Sequence, residues 1–272
     1  MMKAGFTGFI ERGADYFKVI KTYADIGYTV LEGGDAMYRV GDGNVQENLK
    51  RVRDMGYDTI FTIGTNVQFD NQPNAKELIE RAHTVGVEHV TIYHSGVTSW
   101  RFADREMPTY DEAMLEIDKM DKLAKELKKE GLSLVFHNHD QEFITTFNGV
   151  PLFWHMALKA EDLKFEIDLA WAHYAKFDPA QLIDQLGDRV AALHFKDYKL
   201  GDNFEDKPAR RVIVPRYTTP GTGLVDIDAC VQAADKHGVR YCIIEQDMPY
   251  HLTREDSVRT AYYIMKETGL VE

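Results

Sequence analysis

The sequence predicts an α/β protein, a (β/α)8 TIM barrel that forms a single domain over residues 1–272. Three observations predict it: eight apolar runs of strand length, helical periodicity between them, and glycines closing the helical segments just before the following run. The runs are KAGFTGF (3–9), YTVLEGG (28–34), DTIFTIG (58–64), HVTIYHS (89–95), LSLVFHNH (132–139), LKFEIDL (163–169), VAALHFKD (190–197) and YCIIEQD (241–247). Nearly continuous apolar character marks strands covered on both faces, and a strand–helix repeat demands parallel pairing through helical crossovers. DYFKVIKTYADIG, ENLKRVRDMG, KELIERAHTVG, the long DEAMLEIDKMDKLAKELKKEG, AQLIDQLGD and DACVQAADKHG supply those crossovers. Gly27, Gly56, Gly86, Gly131 and Gly238 stand where a left-handed helix terminus favours glycine. An open doubly wound sheet is the competing architecture, but no Gly-rich phosphate loop follows the first run.

Composition narrows the function. Hydrophobic residues are 44% of the chain, enough for a sizeable core, while the net charge of −12 would repel a phosphate backbone. Nucleic acid is therefore not expected as a partner. Cys230 and Cys242 are too few for a disulfide framework and lie in no short zinc-binding spacing, so both are expected as reduced thiols. The first residues lack a signal-peptide pattern and no run approaches the length of a membrane span, so no membrane is expected and the expected location is cytoplasmic.

In such a barrel the active site lies at the C-terminal strand ends. The polar residues there are Glu32, His94, His137 and His139, Asp168, His194 with Lys196, and Glu245. Alternation places His137 and His139 on one face, and likewise His194 and Lys196, so each pair can point into the barrel mouth. Glu142 follows in FHNHDQEF, where a turn can return its carboxylate over the same opening. Glu142, Asp168, His194 and Glu245 thus mark the ends of four successive strands. Three carboxylates and an imidazole suit Mn2+, Mg2+, Co2+ or Zn2+. The segment KLGDNFEDKPARRVIVPRYTTPGTG, Lys199–Gly223, reads as a long irregular loop expected to cover the substrate. Its Arg210 and Arg211 are expected to be solvated rather than to bind a phosphate.

FHNHDQEF, FEIDLAWAH, ALHFKDYK, GTGLVDI and IIEQDMPY resemble the sugar-phosphate isomerase/epimerase superfamily, the xylose isomerase-like or endonuclease IV-like barrels, over essentially the whole chain. The resemblance implies a Glu–Asp–His–Glu set holding one divalent ion, most often Mn2+, here Glu142, Asp168, His194 and Glu245. Glu142 lies beyond the strand that carries the first ligand in ketose 3-epimerases, which makes His137 its rival. It also implies an isomerase or epimerase acting on a keto-sugar or related polyol through a metal-stabilised enediolate. Glu142, Glu245, His137 and His139 are then the candidate catalytic groups. Glu32, His94, Lys196, His173, Trp100 and Trp171 are the candidate substrate contacts, with a salt bridge to Asp197 or another carboxylate as the alternative for Lys196. An inosose-type dehydratase, and a barrel subunit without independent turnover, are the competing functions. The partners expected are a small sugar or polyol substrate, with a homo-oligomer left open.

Overall fold

Alternation along the strands decides what fills the barrel, and it divides the interior into an apolar floor and a polar mouth. The structure is a computed structural model that describes residues 1–7, 10, 14–68, 71–100, 106–207, 212–247 and 252–272, with side chains described outside 200–207 and 212–214. The barrel strands are β1 (Lys3–Thr7), β2 (Val30–Glu32), β3 (Thr59–Ile60 and Thr62–Val67), β4 (His89–Ser95), β5 (Ser133–His137), β6 (Lys164–Asp168), β7 (Val190–Phe195) and β8 (Tyr241–Ile244). β1 pairs in parallel with β2 and β8, and the parallel ladder continues from β8 through β7, β6, β5 and β4. The first segment of β3 pairs with β2 and the second with β4. Between them the Phe61 N–H donates to Leu31 O at 2.9 Å, carrying the ring across the interruption. The expected barrel is therefore present, nearly closed, and the open doubly wound sheet is excluded.

Inward side chains stack in layers, as the strand tilt of such a barrel requires. Phe61 packs against His89 and Tyr241 at ring-centroid distances of 4.8 and 5.2 Å. Val30, Phe61, Val135, Ala191, Ala192, Tyr241 and Ile243 form a buried apolar cluster of their own. Two residues further along the same strands stand Glu32, His137, His194 and Glu245. The outward residues, among them Leu31, Phe136, Phe165, Ile167, Leu193 and Ile244, join the larger core between strands and helices. Burial there is the main stabilising term, since each large apolar side chain taken from water contributes about 1.5–3 kcal/mol.

The helices that cover the sheet start and stop where local chemistry directs. α1 (Tyr16–Ile26) is capped by Asp15, whose side chain accepts from the Lys18 N–H at 3.2 Å. Residues 110–128 form the longest helix, opened by a capping box between Thr109 and Glu112. No helix among the described residues is long and apolar enough to cross a membrane.

The segment after β7 departs from expectation. Instead of an irregular loop, Asp197–Lys207 pairs antiparallel with Val212–Thr218, Tyr198 facing Tyr217. The β-branched residues of VIVPRYT suit a strand, and Asp197 fastens the return. Its Oδ1 accepts from the N–H groups of Tyr198, Leu224 and Val225, and its Oδ2 from those of Gly221 and Gly223. Arg210 and Arg211 lie outside the described residues.

Gly5 in β1 is required by close approach: a Cβ there would stand 2.9 Å from Val30 Cβ and 3.1 Å from Ile243 Cγ1. Gly5→Ala should therefore cost about 1–3 kcal/mol by overpacking the barrel floor, measured as a lowered urea midpoint with an unchanged m-value.

Candidate active site

The polar mouth is built on β2, β5, β6, β7 and β8, and His194 is its hub. Its Nε2 lies 2.8 Å from Glu32 Oε2 and 3.2 Å from Glu166 Oε1, while its Nδ1 lies 3.0 Å from Glu245 Oε2. Burial alone would lower its pKa, but the carboxylates of Glu166, Glu32 and Glu245 raise it well above the ordinary histidine value. Lys196, two residues on and equally buried, places Nζ 2.7 Å from both Glu245 and Asp247 and 3.5 Å from Asp168 Oδ2. Burial opposes its charge too, and Asp247, Glu245 and Asp168 overcome that penalty. Glu245 in turn would be raised by burial, yet Lys196 and His194 hold it well below the usual carboxylate range. It is ionised.

Asp168 ends β6 and caps the short helix Leu169–Tyr174, its Oδ1 accepting from the Trp171 N–H at 2.8 Å. Asn138 clamps its backbone, accepting from the Asp168 N–H at 3.0 Å and donating to the Asp168 carbonyl at 3.3 Å. The second carboxylate oxygen, Oδ2, is buried and accepts no hydrogen bond. His137 Nδ1 is likewise buried without a hydrogen bond, 3.6 Å from Glu166 Oε2. Burial, reinforced by the neighbouring His194, keeps the His137 imidazole neutral, and burial beside His94 does the same for His139.

Two groups of ligand-type atoms result, each with its members within 4.8 Å of one another: His137, Asp168, His194 and Glu245, and Glu32, Glu166 and His194. Glu142 belongs to neither. It sits in the short helix Gln141–Ile144, buried, with Oε2 accepting from the His139 N–H at 2.7 Å, and burial pushes its pKa up to about 8. His137, its rival, stands in the first group, and Glu142 stands apart from it. The reason is local: Asp140 and Gln141 start a helical turn straight after β5, which folds Glu142 back onto the strand end rather than over the opening.

Glu32, His94, His139, Lys196 and Trp171 line the cavity at the barrel mouth. The His94 ring stacks on that of His139 at 4.9 Å, and the Trp171 ring lies 5.7 Å from His139. Trp100 does not line it; its indole N–H donates to Thr145 Oγ1 at 3.2 Å. His173 also stays outside, its Nδ1 2.9 Å from the Tyr198 hydroxyl. Lys196 is both a cavity wall and the partner of Glu245 and Asp247, while Asp197 serves the hairpin instead. Glu166, Tyr93, Tyr217 and Asp247 were not foreseen. Glu166 was readable, because alternation in FEID puts it on the same face as Asp168. The Tyr93 hydroxyl donates to Glu32 Oε1, and Tyr217 reaches the site only through the hairpin.

The family model of the xylose isomerase-like TIM barrel matches residues 24–267. Two inosose dehydratases are similar in sequence: that of Erwinia tasmaniensis at 25% identity, over 57% of this chain and 55% of the relative, and that of Clostridium beijerinckii at 22%, over 58% and 56%. The match thus spans just over half the length of these curated relatives. A sugar phosphate isomerase/epimerase from Parabacteroides distasonis superposes with a TM-score of 0.73 at 17% identity, covering all of both chains. The IOLI protein, in a structure with a zinc atom, gives a TM-score of 0.70 at 16% identity over 98% of each chain. A Mycobacterium smegmatis xylose isomerase-like barrel in complex with magnesium gives 0.65 at 13% identity, over 98% of this chain and 95% of the other.

The raised pKa of Glu142 has a consequence for stability. Folding keeps this carboxyl neutral, so its contribution is complete below its ordinary value near 4.5 and is lost as pH rises toward about 8. Glu142→Gln keeps an acceptor for the His139 N–H and removes the titration. Urea unfolding at pH 5 and pH 9 should show the wild type losing more stability than the variant between the two, by on the order of a few kcal/mol.

Proposed function

The chain belongs to the xylose isomerase-like TIM barrel family, and we propose that it is a divalent-metal-dependent isomerase or epimerase acting on a keto-sugar or related polyol. The observation that carries this reading is the convergence of His137, Asp168, His194 and Glu245 at the barrel mouth. The donor set fits a divalent cation. It is mixed nitrogen and oxygen, it leaves His137 Nδ1 and Asp168 Oδ2 buried without hydrogen bonds, and it gathers more carboxylates than the cations of His194 and Lys196 balance. The imidazoles favour Mn2+, Co2+ or Zn2+ over Mg2+, and Mn2+ is our choice among them.

In this reading His194 exchanges the proton on Nδ1, the nitrogen facing Glu245, for a bound ion. Its Nε2–H then donates to Glu32 and Glu166, which fix the ring and its tautomer. The second group of ligand-type atoms is thus a clamp on the first. A bound ion would supply Lewis-acid polarisation of the substrate's ketone oxygen. The protein's own groups do the rest. His139, neutral and on the cavity wall, accepts the proton from the carbon beside the ketone and returns it. Lys196, held cationic, stabilises negative charge developing on substrate oxygen. Glu245, beside His194 Nδ1 and paired with Lys196, serves as a ligand. Trp171 offers an aromatic face to the sugar.

A second reading, an inosose-type dehydratase, is favoured by the two curated relatives. It uses the same proton abstraction and then expels a β-hydroxyl. Incubation of Mn2+-loaded protein with keto-sugars and inososes in D2O separates the readings. Deuterium entering one carbon without loss of water supports the isomerase or epimerase, and water loss supports the dehydratase. Absence of both across the panel would leave a barrel without turnover and sink the proposal.

Metal binding is testable on its own. The double variant Asp168→Ala/His194→Ala should lose the ion by elemental analysis, and His137→Asn should weaken binding more than Glu142→Gln. Glu166→Gln should lower the affinity by about 10–100-fold through the loosened His194 ring, read by chelator competition.

A further inference from the structure

The cavity does not end at the metal-ligand cluster. It encloses about 1200 Å³, and its lining continues from Glu32 to Asp35, Tyr38, Arg39, Arg81 and Tyr16 on the β1–β3 side of the mouth. Pockets of about 300–1,000 Å³ suffice for drug-sized ligands, and a hexose of about a dozen non-hydrogen atoms is smaller than these. A single keto-sugar ring on His137, Asp168, His194 and Glu245 therefore leaves a second lobe unfilled among the described residues.

That lobe has the chemistry of a binding subsite. Tyr16 lines it, with its hydroxyl turned into the protein. The opposite wall is fixed in advance. Arg81 donates to Asp35 Oδ1, Asp35 Oδ2 accepts from the Gly64 N–H at 2.5 Å, and the Arg81 guanidinium lies 5.6 Å from the centre of the Tyr38 ring. Because Asp35 neutralises Arg81, that guanidinium is already paired and is not left for a phosphate. Arg39 stands exposed at the lip with no hydrogen bond or ion pair to the described residues, beside Tyr38. Flat tyrosine and guanidinium faces next to hydrogen-bonding groups match a ring with an apolar face and polar edges.

We propose that the substrate is a keto-glycoside: a keto-sugar ring at the metal-ligand cluster, joined through a glycosidic bond to a second ring held between Tyr16, Tyr38 and Arg39. This rests on the proposed function in one respect, the seating of the first ring. The second ring is a sugar or an aryl group, and the same lobe chemistry recognises both.

The test measures binding rather than turnover. Full-length protein, metal-free and Mn2+-loaded, is titrated with D-glucose, maltose, cellobiose, and phenyl α- and β-D-glucoside, with affinities read by ligand-observed NMR. At least one glycoside should bind about tenfold or more tightly than glucose. Tyr38→Ala and Arg39→Ala should each erode that advantage while leaving glucose binding and Mn2+ affinity unchanged. Preference for the disaccharides assigns the lobe to a sugar, and preference for the phenyl glucosides assigns it to an aryl group. Glycosides that bind no better than glucose, or an advantage that survives both substitutions, would overturn the proposal. The Mn2+ titration of the same samples reads the proposed function separately: loss of metal binding with the glycoside advantage intact would count against that function alone.

Discussion

The site depends on one electrostatic constraint, the burial of Glu32, Glu166, Asp168 and Glu245, with Asp247 half-buried beside them, around His194 and Lys196 as the cationic side chains that pair with them among the described residues. Carboxylates withdrawn from water carry a penalty that pairing must offset. His194 and Lys196 are driven to the protonated state by this surplus and Glu245 to the ionised one, while Asp168 and Glu166 are pushed upward by burial. A surplus of this kind is unstable as a purely structural feature. It is suited to a site that admits a further positive charge, and to chemistry in which charge appears on a substrate oxygen.

The barrel makes that concentration affordable. Its lower interior is apolar, with Phe61, Val135 and Ile243 packed together, so the strands do not depend on the mouth for their cohesion. Parallel pairing with residues in register then carries His194 level with Asp168 on one side and Ile243 on the other, which brings Glu245 to the adjacent strand end. Rigid strand ends fix the positions of the ligating atoms. The hairpin after β7 adds Tyr217, whose ring centre lies 4.6 Å from Lys196 Nζ, as a cover over the buried ammonium.

Much of this was legible in the sequence because a strand has a period of two. YCIIE and ALHFK place Glu245 and Lys196 on inward faces without further information, and the glycines at 27, 56, 86, 131 and 238 do adopt positive φ. What alternation cannot read is the chain beyond the last strand residue. Glu142 lies three residues past His139, where the onset of a short helix decides its direction, and that onset leaves it under the His139 backbone. Trp100 and His173 are similar cases: each stands near a strand end, yet Thr145 and Tyr198 hold them away from the cavity. The hairpin escaped notice because charged and glycine residues interrupt its alternation.

The central claim is that the mouth holds one ion through two imidazoles, His137 and His194, together with Asp168 and Glu245. Electron spin echo modulation of the Mn2+-loaded protein, with histidine labelled by 15N, reads the nitrogen ligands directly. The account predicts couplings from two histidine nitrogens, falling to one in His137→Asn. A single nitrogen coupling that His137→Asn leaves unchanged would contradict it.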